Sequence, residues 1–123
     1  MTPRRVLLAD DFVELRAMLR IALERTGNYT VIAEAGNGRE AVELAALHLP
    51  DLVVLDLAMP IVDGLEALPA IIAVAPATKV LVLSGLEASR VADVAIEHGA
   101  SGFVEKDGLP DALITALDAL VDA

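Results

Sequence analysis

Five short apolar runs recur along the chain: Val6-Leu7-Leu8-Ala9, Thr30-Val31-Ile32-Ala33, Leu52-Val53-Val54-Leu55, Val80-Leu81-Val82-Leu83 and Gly102-Phe103-Val104. A strand with one wet face alternates apolar and polar residues, whereas these runs are apolar at successive positions. They therefore read as strands covered on both faces. Longer segments with helical spacing lie between them. Phe12, Leu15, Leu19 and Ala22 form one stripe, and Leu109, Ala112, Leu113, Ala116, Leu117 and Leu120 form another. Punctuation agrees with this division. Gly27-Asn28 stops the first helix, Gly36-Asn37-Gly38 opens the second, Asp63-Gly64 turns into the third with Asp63 as N-cap, and Gly99 ends the fourth. Five strand–helix units predict an α/β fold, an open, parallel, three-layer sheet with right-handed crossovers and two covering helices per face.

Composition excludes several classes of function. Apolar residues make up 56% of the 123, enough for a core, and aromatics only 2%, so that core is aliphatic. Nine basic against 19 acidic side chains give a net charge of −10, which repels a phosphate backbone and argues against nucleic-acid contact by this domain. Without cysteine there is no disulfide, thiol nucleophile or thiolate metal site. His48 and His98 lie too far apart for a zinc motif and read as surface helix residues. Only four apolar residues precede Asp10, too few for a signal peptide, and the run Ala67–Thr78 is too short and proline-broken to span a membrane. A cytoplasmic protein without membrane contact is expected.

In open parallel sheets, ligands bind beyond the carboxyl ends of the strands. Those ends carry Asp10-Asp11, Glu34, Asp56, Ser84-Gly85 and Glu105-Lys106. If strands 1, 3, 4 and 5 are neighbours, three carboxylates, a hydroxyl and an ammonium converge. Crowded carboxylates repel unless a cation intervenes, and oxygen ligands suit a hard ion such as Mg²⁺. The ammonium of Lys106 beside such an ion points to a further anion, most simply a phosphoryl group. The bland alternative is a buried Lys–Asp pair with the other acids serving as helix caps.

The set Asp10-Asp11, Asp56 with Met59-Pro60 and Asp63-Gly64, Ser84, and Gly102-Phe103-Val104-Glu105-Lys106 resembles the receiver domain of two-component response regulators, over the whole chain and in motif order. The segment His98–Asp107 is most similar to receivers that precede LuxR-type output domains. The resemblance implies a flavodoxin-like sheet of order 2-1-3-4-5. It implies that Asp56 accepts a phosphoryl group from a sensor histidine kinase, as a signalling switch that catalyses its own phosphorylation and dephosphorylation. By the same resemblance, Asp11 and Asp56 ligate Mg²⁺ directly, Asp10 acts through water, and the Ala58 carbonyl completes the set. Lys106 and Ser84 bind the phosphoryl oxygens, and Phe103 follows Ser84, remodelling the face of helix 4, strand 5 and helix 5. The family often has proline after this lysine, where the chain has Asp107, which leaves the geometry of that peptide open.

Rival readings fit less well. Gly36-Asn37-Gly38-Arg39-Glu40-Ala41 matches a dinucleotide fingerprint, but it follows the second run and leaves Asp10, Asp11 and Lys106 unused. A haloacid dehalogenase-type phosphatase needs a second Asp two residues after its nucleophile, where this chain has Ala58. Ala58 also offers no side chain to position a hydrolytic water, so slow self-dephosphorylation is expected. Residues 1–123 read as one domain, either a stand-alone relay protein or part of a longer regulator with a C-terminal DNA-binding domain. A receiver-like module that works without phosphorylation is a third reading. On the last helix, Ile114 and Val121 belong either to a wide buried stripe or to a homodimer contact.

Overall fold

The computed structural model describes residues 2–59, 62–85 and 88–122, and the side chains of 88–92 are left aside. Strands β1 (Arg4–Ala9), β2 (Tyr29–Ala35), β3 (Leu52–Asp56), β4 (Lys79–Ser84) and β5 (Gly102–Glu105) alternate with helices α1 (Val13–Arg25), α2 (Gly38–His48), α3 (Gly64–Val74), α4 (Ala88–Glu97) and α5 (Asp111–Val121). All strand pairs are parallel, in the order β2-β1-β3-β4-β5. This is the five-stranded flavodoxin-like sheet that the apolar runs and the resemblance predict.

The unbroken apolarity of the strands has a direct structural cause. Successive side chains point to opposite faces, and both faces are covered. Leu7, Ala9, Val53, Leu55, Val80 and Val82 meet α2, α3 and α4, while Val6, Leu8, Leu52, Val54, Leu81 and Leu83 meet α1 and α5. The helices thus divide three and two, not two per face, as five elements must.

Local chemistry sets the ends of the elements. Asn37 accepts from the Glu40 N–H at 2.9 Å while Glu40 reaches back to the Gly36 N–H at 3.0 Å, a reciprocal cap for α2. Asp63 caps α3 through the Glu66 N–H at 2.9 Å. Gly99, after α4, has φ +104°, a conformation that favours glycine. The C-terminal end of α5 is tied to the sheet twice. Lys79 Nζ donates to the Leu120 carbonyl at 2.7 Å, and the Tyr29 hydroxyl donates to Asp118 at 2.6 Å.

Two further sequence expectations change. Phe12 does not join the buried stripe of α1: it precedes the helix with extended backbone and is 60% exposed. The core-facing residues are Leu19 and Leu23, one turn apart, with Leu15 half-buried before them. Strand β2 runs one residue past Glu34, to Ala35. Ile114 and Val121 both pack against the core beneath α5, as the wide-stripe reading expects.

Candidate functional site

Strands β1 and β3 are direct neighbours, with Ala9 paired to Leu55, so Asp10 and Asp56 leave the sheet side by side. Both are almost fully buried, at 2% and 1% exposure. Each makes the same local bond: Asp10 Oδ1 accepts from the Phe12 N–H at 2.9 Å, and Asp56 Oδ1 from the Ala58 N–H at 3.1 Å. This two-residue turn, which Asp forms readily, locks each side chain and leaves its Oδ2 aimed inward. No side chain caps α1, so the reading of Asp10 and Asp11 as helix caps does not hold.

Lys106 follows β5, beyond β4, and its side chain reaches the two acids. Its Nζ lies 3.1 Å from Asp56 Oδ2 and 3.3 Å from Asp10 Oδ2. These are ion-pair distances without hydrogen-bond alignment, and among the described residues both buried Oδ2 atoms lack a hydrogen-bond partner. Burial pushes the Asp56 carboxyl above the usual carboxylate range. The Ala58 N–H and Lys106 oppose that rise, while the charge of Asp10 adds to it. Burial pulls the Lys106 ammonium down, but Asp56 and Asp10 together outweigh it and hold it above the ordinary lysine value.

Asp11, exposed at the rim, completes an acidic cluster: one carboxylate oxygen each of Asp10, Asp11 and Asp56 lies within 4.8 Å of the others. Three carboxylates against one ammonium leave two negative charges, which one divalent cation balances. Two orphaned buried oxygens and an all-oxygen donor set fit a hard ion of the Mg²⁺ type. The residues present therefore suit the cation that the sequence led us to expect.

The remaining candidates take their places around this cluster. Asp56 pairs with Leu83, so Ser84 stands one residue beyond it on the neighbouring strand, half-buried. Among the described residues its hydroxyl makes one long contact of 3.5 Å, to the Gly85 carbonyl. Phe103 is half-buried against the core face that includes Val80 and Val82. Ala58 is exposed, and its N–H is committed to Asp56. Met59 is buried, and its neighbour Pro60 lies outside the described residues. The peptide between Lys106 and Asp107 is trans, and among the described residues only Leu109–Pro110 is cis.

The glycine fingerprint of the sequence has a different use. The Gly38 N–H donates to the Val62 carbonyl at 2.9 Å, and a Cβ on Gly38 would lie 2.0 Å from that oxygen. The amide is consumed inside the protein and cradles no phosphate. The roles of two contributors to the site escaped sequence reasoning. Gly64 reads as a turn and as part of the receiver motif, without its reason: a Cβ there would meet the Asp56 carbonyl oxygen at 2.3 Å. Arg16 belongs to no motif, but its Nη1 donates to the Asp10 carbonyl at 2.6 Å. A cation beside Leu15 in the first helical stripe was the one available signal.

Comparison with known proteins agrees with this geometry. The family model for the response regulator receiver domain matches residues 6–118. The chain is 36% identical over 115 residues to the chemotaxis protein CheY of Thermotoga maritima, covering 94% of this chain and 95% of that one. It is 39% identical over 121 residues to the transcriptional regulatory protein PdtaR of Mycobacterium tuberculosis, covering 97% of this chain and 57% of the regulator. The chain thus spans little more than half the length of such regulators. Among solved structures, a LuxR-family two-component response regulator from Aurantimonas sp. SI85-9A1 superposes with a TM-score of 0.92 at 36% identity, covering 98% of this chain and 86% of that one.

Proposed function

The chain belongs to the response regulator receiver family of two-component signalling, and from that premise we propose that Asp56 is its phospho-acceptor. The observation that carries the reading is the pair of buried, orphaned Oδ2 atoms facing Lys106. Asp56 Oδ2 forms a bond to the phosphorus of a phosphohistidine on a sensor kinase, or of a small acyl phosphate. The bond from phosphorus to the donor breaks, and the leaving group keeps the electron pair. Burial raises the basicity of the attacking carboxylate. Lys106 offsets charge on the phosphoryl oxygens, and catalysis consists of positioning and charge stabilisation.

Asp11 and Asp56 would hold Mg²⁺, with Asp10 acting through water and the Ala58 carbonyl as the last protein ligand. When bound, the ion supplies charge neutralisation for the acidic cluster and the incoming phosphoryl group. Ser84 would take a phosphoryl oxygen as its acceptor; among the described residues its hydroxyl makes a contact of 3.5 Å, to the Gly85 carbonyl. Movement of Ser84 would let the half-buried Phe103 shift and remodel the surface of α4, β5 and α5. Reversing a two-state population from 1:99 to 99:1 needs about 5.5 kcal/mol. Two or three charge-assisted bonds of about 1.5–3 kcal/mol each supply that.

The output we propose is control of a partner domain that regulates transcription, supported by the transcriptional regulators among the relatives; that this domain binds DNA follows only from the resemblance to LuxR-type receivers. A stand-alone relay is the second reading, favoured by the near full-length match to a chemotaxis protein. Among the described residues no helix is long and apolar enough to cross a membrane, and a cytoplasmic location is part of the proposal. To test the acceptor, the chain is incubated with acetyl phosphate and Mg²⁺, then treated with hydroxylamine, and its peptides are mapped by mass. A hydroxamate at Asp56 is expected. A label on another residue, or none, would overturn the assignment and favour a phosphorylation-independent module.

A further inference from the structure

We propose that Arg16, held by Glu34, is a positioning residue that pre-organises Asp11 for its cation; this rests on the metal reading given above. Of the three clustered carboxylates, Asp10 and Asp56 are each locked by a backbone N–H. Among the described residues the Asp11 carboxylate accepts no hydrogen bond, so its place at the rim depends on the backbone that carries it. The carbonyl of Asp10 and the N–H of Asp11 share one rigid peptide plane. Arg16 Nη1 binds that carbonyl at 2.6 Å and so fixes how the plane is turned.

Arg16 is itself held in place. Its side chain is 16% exposed, and its Nε donates to Glu34 Oε1 at 3.1 Å. Glu34, on the edge strand β2, also binds Arg20 through its other oxygen. The guanidinium thus uses one edge on the carboxylate and another on the peptide, which its planar fork permits and a single ammonium does not. The arrangement couples the edge strand to the mouth of the acidic cluster.

The sign of the effect separates positioning from simple electrostatics. A positive charge near the cluster disfavours a second cation, so losing the charge of Arg16 alone would tighten Mg²⁺ binding. Loss of positioning weakens it. Outer contacts that orient metal ligands typically contribute about 10–100-fold in affinity, and the lower end, about tenfold, is expected here because Asp11 is one ligand among several. Arg16→Met keeps the buried stem, and Glu34→Gln provides a milder perturbation should Arg16→Met fold poorly.

The test titrates Mg²⁺ alone into the wild-type chain, Arg16→Met, Glu34→Gln, Asp11→Asn and the Arg16→Met/Asp11→Asn pair. Affinities are read from backbone amide shifts, with circular dichroism as the check on folding. Arg16→Met is expected to weaken Mg²⁺ binding about tenfold and Glu34→Gln in the same direction by less. In the Asp11→Asn background, Arg16→Met should have less than about a twofold further effect, because the ligand it positions is gone. Wild-type affinity or tighter in Arg16→Met and Glu34→Gln, or the same loss from Arg16→Met in both backgrounds, would overturn the inference while leaving the metal site intact. A wild-type chain that binds no Mg²⁺ would overturn the metal reading and this inference with it.

Discussion

Replacing Lys106 by methionine removes the one ammonium that faces two buried carboxylates while keeping a side chain of similar length. Its Nζ lies 3.1 and 3.3 Å from Asp56 and Asp10. A buried charge deprived of its partner costs about 3–5 kcal/mol, but a carboxylate can escape that cost by taking up a proton. One proton shared between the two acids restores the net charge that Lys106 had set, so a single uptake suffices. Measured against the unfolded chain, where a carboxyl has its ordinary value of about 3.9, that uptake costs about 4 kcal/mol at pH 7 and about 1.5 kcal/mol at pH 5, which caps the loss at each pH. Lys106 stays charged throughout this window, since Asp56 and Asp10 more than offset the effect of burial on it.

The native variant then carries one proton more than its own unfolded chain, whereas wild type, with Lys106 charged in both states, takes up none on folding. Stability relative to wild type therefore falls as pH rises, by about 1.4 kcal/mol per unit at full uptake. Urea unfolding followed by circular dichroism at the two pH values should show a loss of about 2–4 kcal/mol at pH 7, shrinking below about 1.5 kcal/mol at pH 5. The same loss at both would show that the carboxylates are not its source. A loss under about 0.5 kcal/mol at pH 7, the size of an exposed ion pair, would show that Lys106 compensates little.

Three further perturbations probe the same framework. Gly64→Ala puts a Cβ 2.3 Å from the Asp56 carbonyl oxygen and 2.5 Å from Leu57 Cα, so overpacking should cost about 1–3 kcal/mol in denaturant unfolding. Asp56→Asn removes a carboxylate whose burial disfavours its charge, and Asp10 is left to pair with Lys106, so the fold should gain stability at pH 7. Because the native value of Asp56 is raised, that gain should fade as pH falls through the raised value and be gone once pH is below the ordinary carboxylate range, as thermal melts would show. Tyr29 is the only tyrosine and there is no tryptophan, so phenolate absorbance reports this residue alone. Burial, then its bond to Asp118, raises its value; ionisation should begin only well above the ordinary tyrosine range. The stability contributed there is present below that range and lost as pH rises through the raised value. Asp118→Asn should reduce the shift without abolishing it, since burial remains.

Most of the architecture was legible because each strand had to satisfy two covered faces. Val53 and Val54 meet different helix layers, and a run that must be apolar at every position is readable without knowing what covers it. The cap at Asp63 was legible because it acts locally, on a residue three positions away. The acids and Lys106 could be placed together because the carboxyl ends of parallel strands share one edge. What stayed hidden depends on contacts distant in sequence. Phe12 sits at helical spacing from Leu15 and Leu19, yet the helix starts one residue later and leaves it in solvent. The constraint at Gly64 comes from the end of β3. Arg16 acts on a carbonyl, a group every residue has, so nothing in its side chain's identity announced the partner.

The central claim is that the acidic cluster accepts one phosphoryl group in a cation-dependent way. Intact-mass measurement after incubation with acetyl phosphate tests it directly, on wild type with Mg²⁺, wild type with chelator, and Asp56→Asn with Mg²⁺. A gain of a single phosphoryl group in the first sample alone is the predicted result. An equal gain in Asp56→Asn or with chelator, or no gain in any sample, would contradict it.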